Sequence, residues 1–598
     1  MTRRIAAIII AISTYVGAED MFVIGAYGVE RIVHIQPARN LLKLNTIIYG
    51  WPSNQTQADS ILLLAEKDTL NVILAHAPGA DPDISRRLSW YSHLWSKSWQ
   101  SDSDYFFHKT GSRTQDAYAD NHYAWKCRRN LHTSGLMQYG PSGRQARLPC
   151  QYLYLDTVEY NARFKLRIDT TAFHSAVKVC SLSVYCPQEE SIYADTVLRI
   201  KDFPANNKYG SFDLYFFRTK PFVSTNQYEY RIWWYNNTNL WSDYVEVKNY
   251  YTDTLIEGGY DSKISSILDH YRDFPMLYRY YLTDEPYIGH FAANRYITHY
   301  LKARNRYGIQ ALGTSTSEFY AHYLSYVEPK ELMFDYYPIC GSGDRKRGRT
   351  PEEHGRKFQA MLDSLCTHLS EMRAVALEHN TKWLFIPQTF GKYNTLTAID
   401  PDDGGAEGDW RLPTPREIRC IVWLSIAHGA KGIIYFRFRT RLTNESGFPE
   451  WMRGLWRYDN RPREPLFTEV RNINDDLHHL GPILLTLTSH RVFNARAVPQ
   501  ESFIKYINTL HEVQIGTFYD SHKDTFFVMV NRHCRSIDSI RMKIGVATRG
   551  AKTLYLLDCL TKNRIYPVHS DLHRTSTVEV IVDLQPGQGR LFKLVRIE

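Results

Sequence analysis

Eight short apolar runs constrain this chain more than any other feature, because three precede and five follow a long tract of different character. The runs are Phe22 to Gly28, Asn45 to Trp51, Asn71 to His76, Arg279 to Pro286, Ile309 to Gly313, Leu332 to Tyr336, Trp383 to Gln388 and Gly432 to Phe436. Each has the length and composition of a buried strand. Segments with helical spacing lie between them: Ala58 to Lys67, Asp261 to Arg272, Ala292 to Arg306, Pro351 to His379 and Pro415 to His428. Strand and helix in alternation predict a parallel sheet, and eight repeats are the number that closes a (β/α)8 barrel.

The interrupting tract, about Pro78 to Glu257, is dense in Tyr and Trp. It carries alternating patterns such as Thr196 to Ile200 and Phe212 to Phe217, which predict an inserted β-sandwich after the third strand. Trp233, Trp234 and Trp241 beside Tyr235 read as its core in preference to a sugar-binding surface. Beyond Thr488 the pattern becomes wholly β (Thr525 to Val530, Thr553 to Leu557, Val578 to Val582), as expected of a carboxyl-terminal β-sandwich. The expected division is 19–78 and 258–487 for the barrel, 79–257 for the insert and 488–598 for the last domain.

Residues 1–18 read as an export leader, with Arg3 and Arg4 ahead of the apolar stretch Ile5 to Ile12 and Gly17-Ala18 before Glu19. Export predicts a secreted, periplasmic or cell-surface protein with no membrane association after cleavage, since no other stretch reaches the roughly 20 apolar residues of a span. A formal charge of +9 over 598 residues is too dilute to predict a nucleic-acid partner, and the cluster Arg345 to Arg349 reads as a solvated turn. An oligomer is compatible with the sequence. Nine cysteines are widely spread, with Cys180/Cys186 and Cys127/Cys150 the closest pairs for a disulfide and Cys366 and Cys420 expected as free thiols. No spacing predicts a metal or a cofactor, and the acids Asp400, Asp402, Asp403 and Asp409 read as a solvated turn.

The chemistry is concentrated where the fourth run ends, in Tyr280-Tyr281-Leu282-Thr283-Asp284-Glu285-Pro286. Catalytic groups of a barrel sit at the carboxyl ends of its strands, and cleavage of a glycosidic bond needs a carboxyl acid there, with a second carboxylate as base or nucleophile. Glu285 is the expected general acid, and Asp335, ending the sixth run, the expected second carboxylate. Sugars offer apolar C–H faces and a rim of hydroxyls, so aromatic and hydrogen-bonding side chains at the same ends are the expected substrate contacts. These are Tyr27, Trp51, His76, Tyr281, Tyr336, Tyr337, Gln388, Tyr435 and Arg437, together with Trp410 in the polar loop after Asp400.

The segment ending in Asp284-Glu285-Pro286, with Pro387 to Gly391, Pro413 to Arg419, Ala427 to Phe436 and Gln585 to Phe592, resembles the glycoside hydrolases built on a (β/α)8 barrel with the acid at the end of strand four. That resemblance implies a carbohydrate substrate. Retaining members of the group place Asn before the acid and a nucleophilic Glu after strand seven, where this chain has Asp284 and Gln388. The adjacent Asp-Glu pair is also similar to the substrate-assisted N-acetylhexosaminidases, which implies Glu285 as acid and Asp284 holding the acetamide. Gln388 equally leaves open a barrel that binds sugar or serves in assembly without catalysis.

Overall fold

The computed structural model describes residues 21–598, apart from 30, 51–54, 76–95, 149–156, 173, 206, 220–225, 250–267, 287–290, 340–350, 395–405, 408–409, 444–449, 535–537, 569–575 and 598. The expected leader, the Arg345 to Arg349 turn and Cys150 lie outside the described residues.

Eight parallel strands close into a barrel in the order Val23–Tyr27, Thr46–Tyr49, Asn71–Ala75, Leu277–Asp284, Gly308–Leu312, Glu331–Tyr336, Lys382–Pro387 and Gly432–Tyr435. The last strand joins the first in register, Gly25 opposite Ile434. Alternation of side chains separates two cores. Val23, Ile48, Ile73, Ile309, Met333, Leu384 and Ile434 fill the barrel, while Ile24, Ile47, Leu74, Phe334, Phe385 and Ile433 face the surrounding helices. Those helices include Gln55–Lys67, Phe291–Lys302, Pro351–Glu378 and Pro415–Ala427, near the expected positions. Ser317–Val327 is an additional one, opened by Thr316, whose hydroxyl accepts from Phe319 N (3.3 Å). The helix expected over Asp261 to Arg272 falls mainly outside the described residues, which show a 3-10 turn at Tyr271–Asp273.

Between the third and fourth barrel strands lies a β-sandwich. Its four-stranded sheet is built around Lys178–Cys186 and Glu229–Trp234, and its six-stranded sheet around Thr157–Ile168 and Leu240–Asn249. Tyr160, Phe164, Leu182, Val184, Tyr230 and Trp234 form its own core. Trp234 and Trp241 are buried as expected, whereas Trp233, on the opposite face of its strand, is 46% exposed. The strand Ser96–Gln100 lies against the barrel helix Phe291–Lys302 and docks the insert. Cys180 and Cys186 do not form a bridge. They lie six residues apart on one extended strand, roughly 20 Å, far beyond the roughly 4.4–6.8 Å that a disulfide spans. Cys127 is also a free thiol, and burial pushes it up to about 12.

The carboxyl-terminal sandwich, with sheets of six and three strands, continues the barrel's outer core through Phe518, Phe526, Val528 and Leu591. Its glycines permit the approach. A Cβ on Gly516 would meet Ala427 O at 1.9 Å, one on Gly587 would meet Arg416 O at 2.3 Å, and one on Gly589 would meet Trp423 Cγ at 2.2 Å, all on the helix Pro415–Ala427. The closing Gln585 to Phe592 motif is therefore a docking surface. Gly589→Val should cost about 1–3 kcal/mol by overpacking, read as a lower urea midpoint and earlier proteolytic release of the last domain.

Candidate active site

The fourth strand is built irregularly at its end. Tyr281 pairs with Ile309 and Asp284 with Ala311, so the strand carries one extra residue there, a bulge that re-aims the residues after it. Glu285 N donates to Ala311 O (3.0 Å), and Glu285 takes φ +42°, in the left-handed region. For a glutamate this conformation costs energy and is held by its surroundings. It lays the side chain across Gly313, where an added Cβ would stand 3.1 Å from Glu285 Oε1.

Across the rim, Asp335 ends the sixth strand and is 6% exposed. The Glu285 carboxyl and the Tyr337 hydroxyl reach it, while its Oδ1 has no hydrogen-bond partner. Burial first, and then the charge of Glu285, raise Asp335 well above the usual carboxylate range; the Tyr337 hydroxyl opposes the shift but does not cancel it. A second polar chain runs beside this pair. Tyr27 Oη donates to Tyr281 Oη (3.0 Å), which donates to Asp284 Oδ1 (2.5 Å). Burial and the neighbouring carboxylates raise Tyr27, Tyr281 and Tyr337, so all three remain phenols that donate.

A cavity of about 580 Å³ opens over Glu285 and Asp335 and is lined also by Tyr337, Trp410, Phe319 and Tyr105. Trp410 is held by Phe390 (ring centroids 5.8 Å apart) and by Lys392, whose Nζ lies 5.1 Å from the ring. Its neighbours in the chain anchor it further. Arg411 makes two 2.8 Å bonds to the Glu417 carboxylate, and Thr414 and Glu417 cap the helix Pro415–Ala427 reciprocally. Tyr105 comes from the insert, Phe319 from the helix after strand five. Neither was expected as a site residue, because nothing local places either segment at the rim. A cavity of about 560 Å³ at the other end of the barrel, lined by Arg373, Lys382, His428 and Lys431, contains no carboxylate.

Gln388 and Tyr435 do not reach the cleft. Gln388 is fully buried; Ile339 N donates to its Oε1 (2.9 Å), and its Nε2 donates to Ile339 O (3.0 Å), Arg411 O (2.9 Å) and Phe390 O (3.2 Å). An amide is required there, since a carboxylate cannot donate to three carbonyls. Tyr435 points outward to Asn474 Oδ1 (2.7 Å), and the Tyr336 hydroxyl bonds Ser364 (2.7 Å) on the helix Pro351–Glu378, although Tyr336 borders the cavity. Arg437 is buried under Gly28, where a Cβ would stand 3.2 Å from Nη2. Trp51 and His76 lie outside the described residues, as do Asp400, Asp402, Asp403 and Asp409. Among the described residues no cluster of three or more His, Cys, Asp or Glu is arranged to hold a metal ion.

No protein family model matches the chain. No curated protein matches it either. Solved structures similar to it include glycoside hydrolases and a carbohydrate-binding module. A GH27 β-L-arabinopyranosidase from Geobacillus stearothermophilus aligns over 56% of this chain and 61% of its own at 12% identity and TM-score 0.30. A rhamnosidase from a Novosphingobium species aligns over 98% and 83% at 7% identity and TM-score 0.38. A family 51 α-L-arabinofuranosidase from Bifidobacterium longum aligns over 54% and 68% at 11% identity and TM-score 0.27. The match thus spans about three fifths of the arabinopyranosidase.

Two outcomes follow from this geometry. Gln388→Glu should destabilise by about 3–5 kcal/mol at neutral pH, as an unpaired buried charge does, and by less at pH 5, where the introduced acid can stay neutral; urea denaturation at the two pH values reads both. Asp335 binds its proton more tightly folded than unfolded, so its contribution weakens stability as pH rises from its unfolded value toward its raised folded one. Asp335→Asn should therefore melt higher than the parent at pH 7 and converge with it near pH 4.

Proposed function

We propose that the protein is an exported glycoside hydrolase in which Asp335 and Glu285 cleave a glycosidic bond as a pair. The observation that carries this reading is the contact of an exposed glutamate with a buried aspartic acid in an aromatic cleft, where burial and the Glu285 charge raise the Asp335 carboxyl well above the usual carboxylate range. A carboxyl raised in this way beside another carboxylate suits the acid role. Asp335 gives its proton to the leaving glycosidic oxygen, and Glu285 attacks the anomeric carbon to form a glycosyl-enzyme ester. Asp335, now a base, takes a proton from water, which displaces the sugar with its configuration retained. The Glu285 carboxyl reaches Asp335, which fits the roughly 5 Å of a retaining pair better than the wider inverting spacing. This exchanges the roles expected from the sequence, where Glu285 was the acid. Gln388, locked by four bonds, takes no part. Export rests on the leader-like residues 1–18.

The Tyr281–Asp284 bond favours a second reading, because it fixes Asp284 beside Glu285, as substrate assistance by an acetamido group would require. Turnover of a panel of aryl glycosides, N-acetylhexosaminides included, separates the readings. Glu285→Gln and Asp335→Asn should each lower kcat by about 10²–10⁴-fold without lowering the melting temperature. Full activity in Asp335→Asn, with loss in Asp284→Asn, would replace the first reading by the second. Sugar binding without turnover by the parent protein would make the barrel a binding module.

A further inference from the structure

The insert has its own core and could fold as a mere appendage, yet it does not stand apart from the cleft. Ser96–Gln100 lies against the barrel helix Phe291–Lys302, and the chain leaving that strand brings Tyr105 to the cavity that holds Glu285 and Asp335. The docking is reinforced nearby. Tyr326, on the barrel helix Ser317–Val327, is partly buried and feels the charges of Glu246 and Asp120 of the insert. Tyr105 itself is 38% exposed, and the burial of its remainder raises its phenol above the usual range, so it stays a neutral ring with a hydroxyl donor. Its backbone is packed as well, since a Cβ on Gly140 would stand 3.0 Å from Tyr105 O.

Trp410 reaches the same cavity from a separate excursion, near the small sheet formed by Gly391–Asn394, Ala406–Glu407, Arg441–Thr443 and Glu450–Arg453. Two insertions far apart in the chain thus each contribute one aromatic ring to the cavity that contains the carboxyl pair. Aromatic faces in a water-filled cleft match the C–H faces of pyranose and furanose rings, and their polar tips match the hydroxyl rim. We infer that Tyr105 is a second sugar platform, so that the cleft takes at least a disaccharide, with one ring on Trp410, one on Tyr105 and the scissile bond between them. This rests on the glycan reading of the cleft and adds that the insert sets the preference for substrates of more than one ring.

The test uses the full chain in a Glu285→Gln background, so that ligands stay intact, and calorimetric titration with xylobiose, galactobiose, mannobiose, cellobiose, arabinobiose and N,N′-diacetylchitobiose, each against the methyl glycoside of its monosaccharide. Adding Tyr105→Ala should lower the affinity ratio of the disaccharide over its methyl monosaccharide by about two- to tenfold, the worth of one aromatic contact. Tyr105→Trp should restore the ratio, and the melting temperature should not change. A ratio unmoved by Tyr105→Ala, with sugars still bound, overturns the platform while leaving the glycan reading intact. Failure of every sugar to bind with Tyr105 in place overturns both.

Discussion

Closure of the barrel is the constraint on which everything else depends. Eight parallel strands joined edge to edge bring every carboxyl end to one rim, so residues of non-adjacent strands face each other across it. Glu285 and Asp335 meet in this way although strand five lies between theirs. Closure leaves no room where the last strand enters between the seventh and the first: a Cβ on Gly432 would stand 2.7 Å from Leu384 Cδ2 and 2.9 Å from Val23 Cβ. A side chain there would crowd the seam that closes the barrel.

At the rim the fold departs from its own rules. Two buried polar side chains near the rim are fully matched. Gln388 finds four backbone partners, and Glu417 is held by Arg411 and by the cap of its own helix. Glu285 instead takes a left-handed backbone, Asp335 is buried with one oxygen unmatched, and Asp284 adds a further carboxylate beside them. Costs of this kind persist when surrounding structure over-determines them, and they concentrate where chemistry is done. Gly313 shows how local that control is, since its missing side chain is the space the Glu285 carboxyl occupies.

The barrel was legible in the sequence because each strand is a short apolar run punctuated by helical periodicity, and both signals are local. The carboxylates were legible for the same reason, as residues that end runs. Which face a strand-end side chain takes was not. Tyr435 and Tyr336 end their strands as expected, but their hydroxyls go to Asn474 and Ser364 on the outer helices. The bulge after Tyr281 has no sequence mark, and it decides how Asp284 and Glu285 are aimed. Gln388 was legible as an amide where a nucleophilic Glu was expected, yet its four-bond clamp depends on loops that fold back from Ile339 and Arg411. Tyr105 was invisible for a stronger reason: it is 180 residues from Glu285 and arrives through the docking of one domain on another.

That docking also gives the long insertion a physical rationale. A strand-to-helix loop of ordinary length can present a side chain at the rim, but cannot hold a bulky ring out over the cleft without support, because an unpacked loop loses too much entropy on ordering. A sandwich with its own core removes that difficulty. The core of Tyr160, Phe164, Leu182 and Trp234 fixes the sheet, its strand Ser96–Gln100 packs on the barrel helix Phe291–Lys302, and Tyr105 follows that strand to the cavity. Trp410 is supported by the same principle on a smaller scale, through Phe390, Lys392 and the Arg411–Glu417 pair. On the proposed glycan reading, platforms supported in this way lower the entropic cost of binding a flexible chain of sugars.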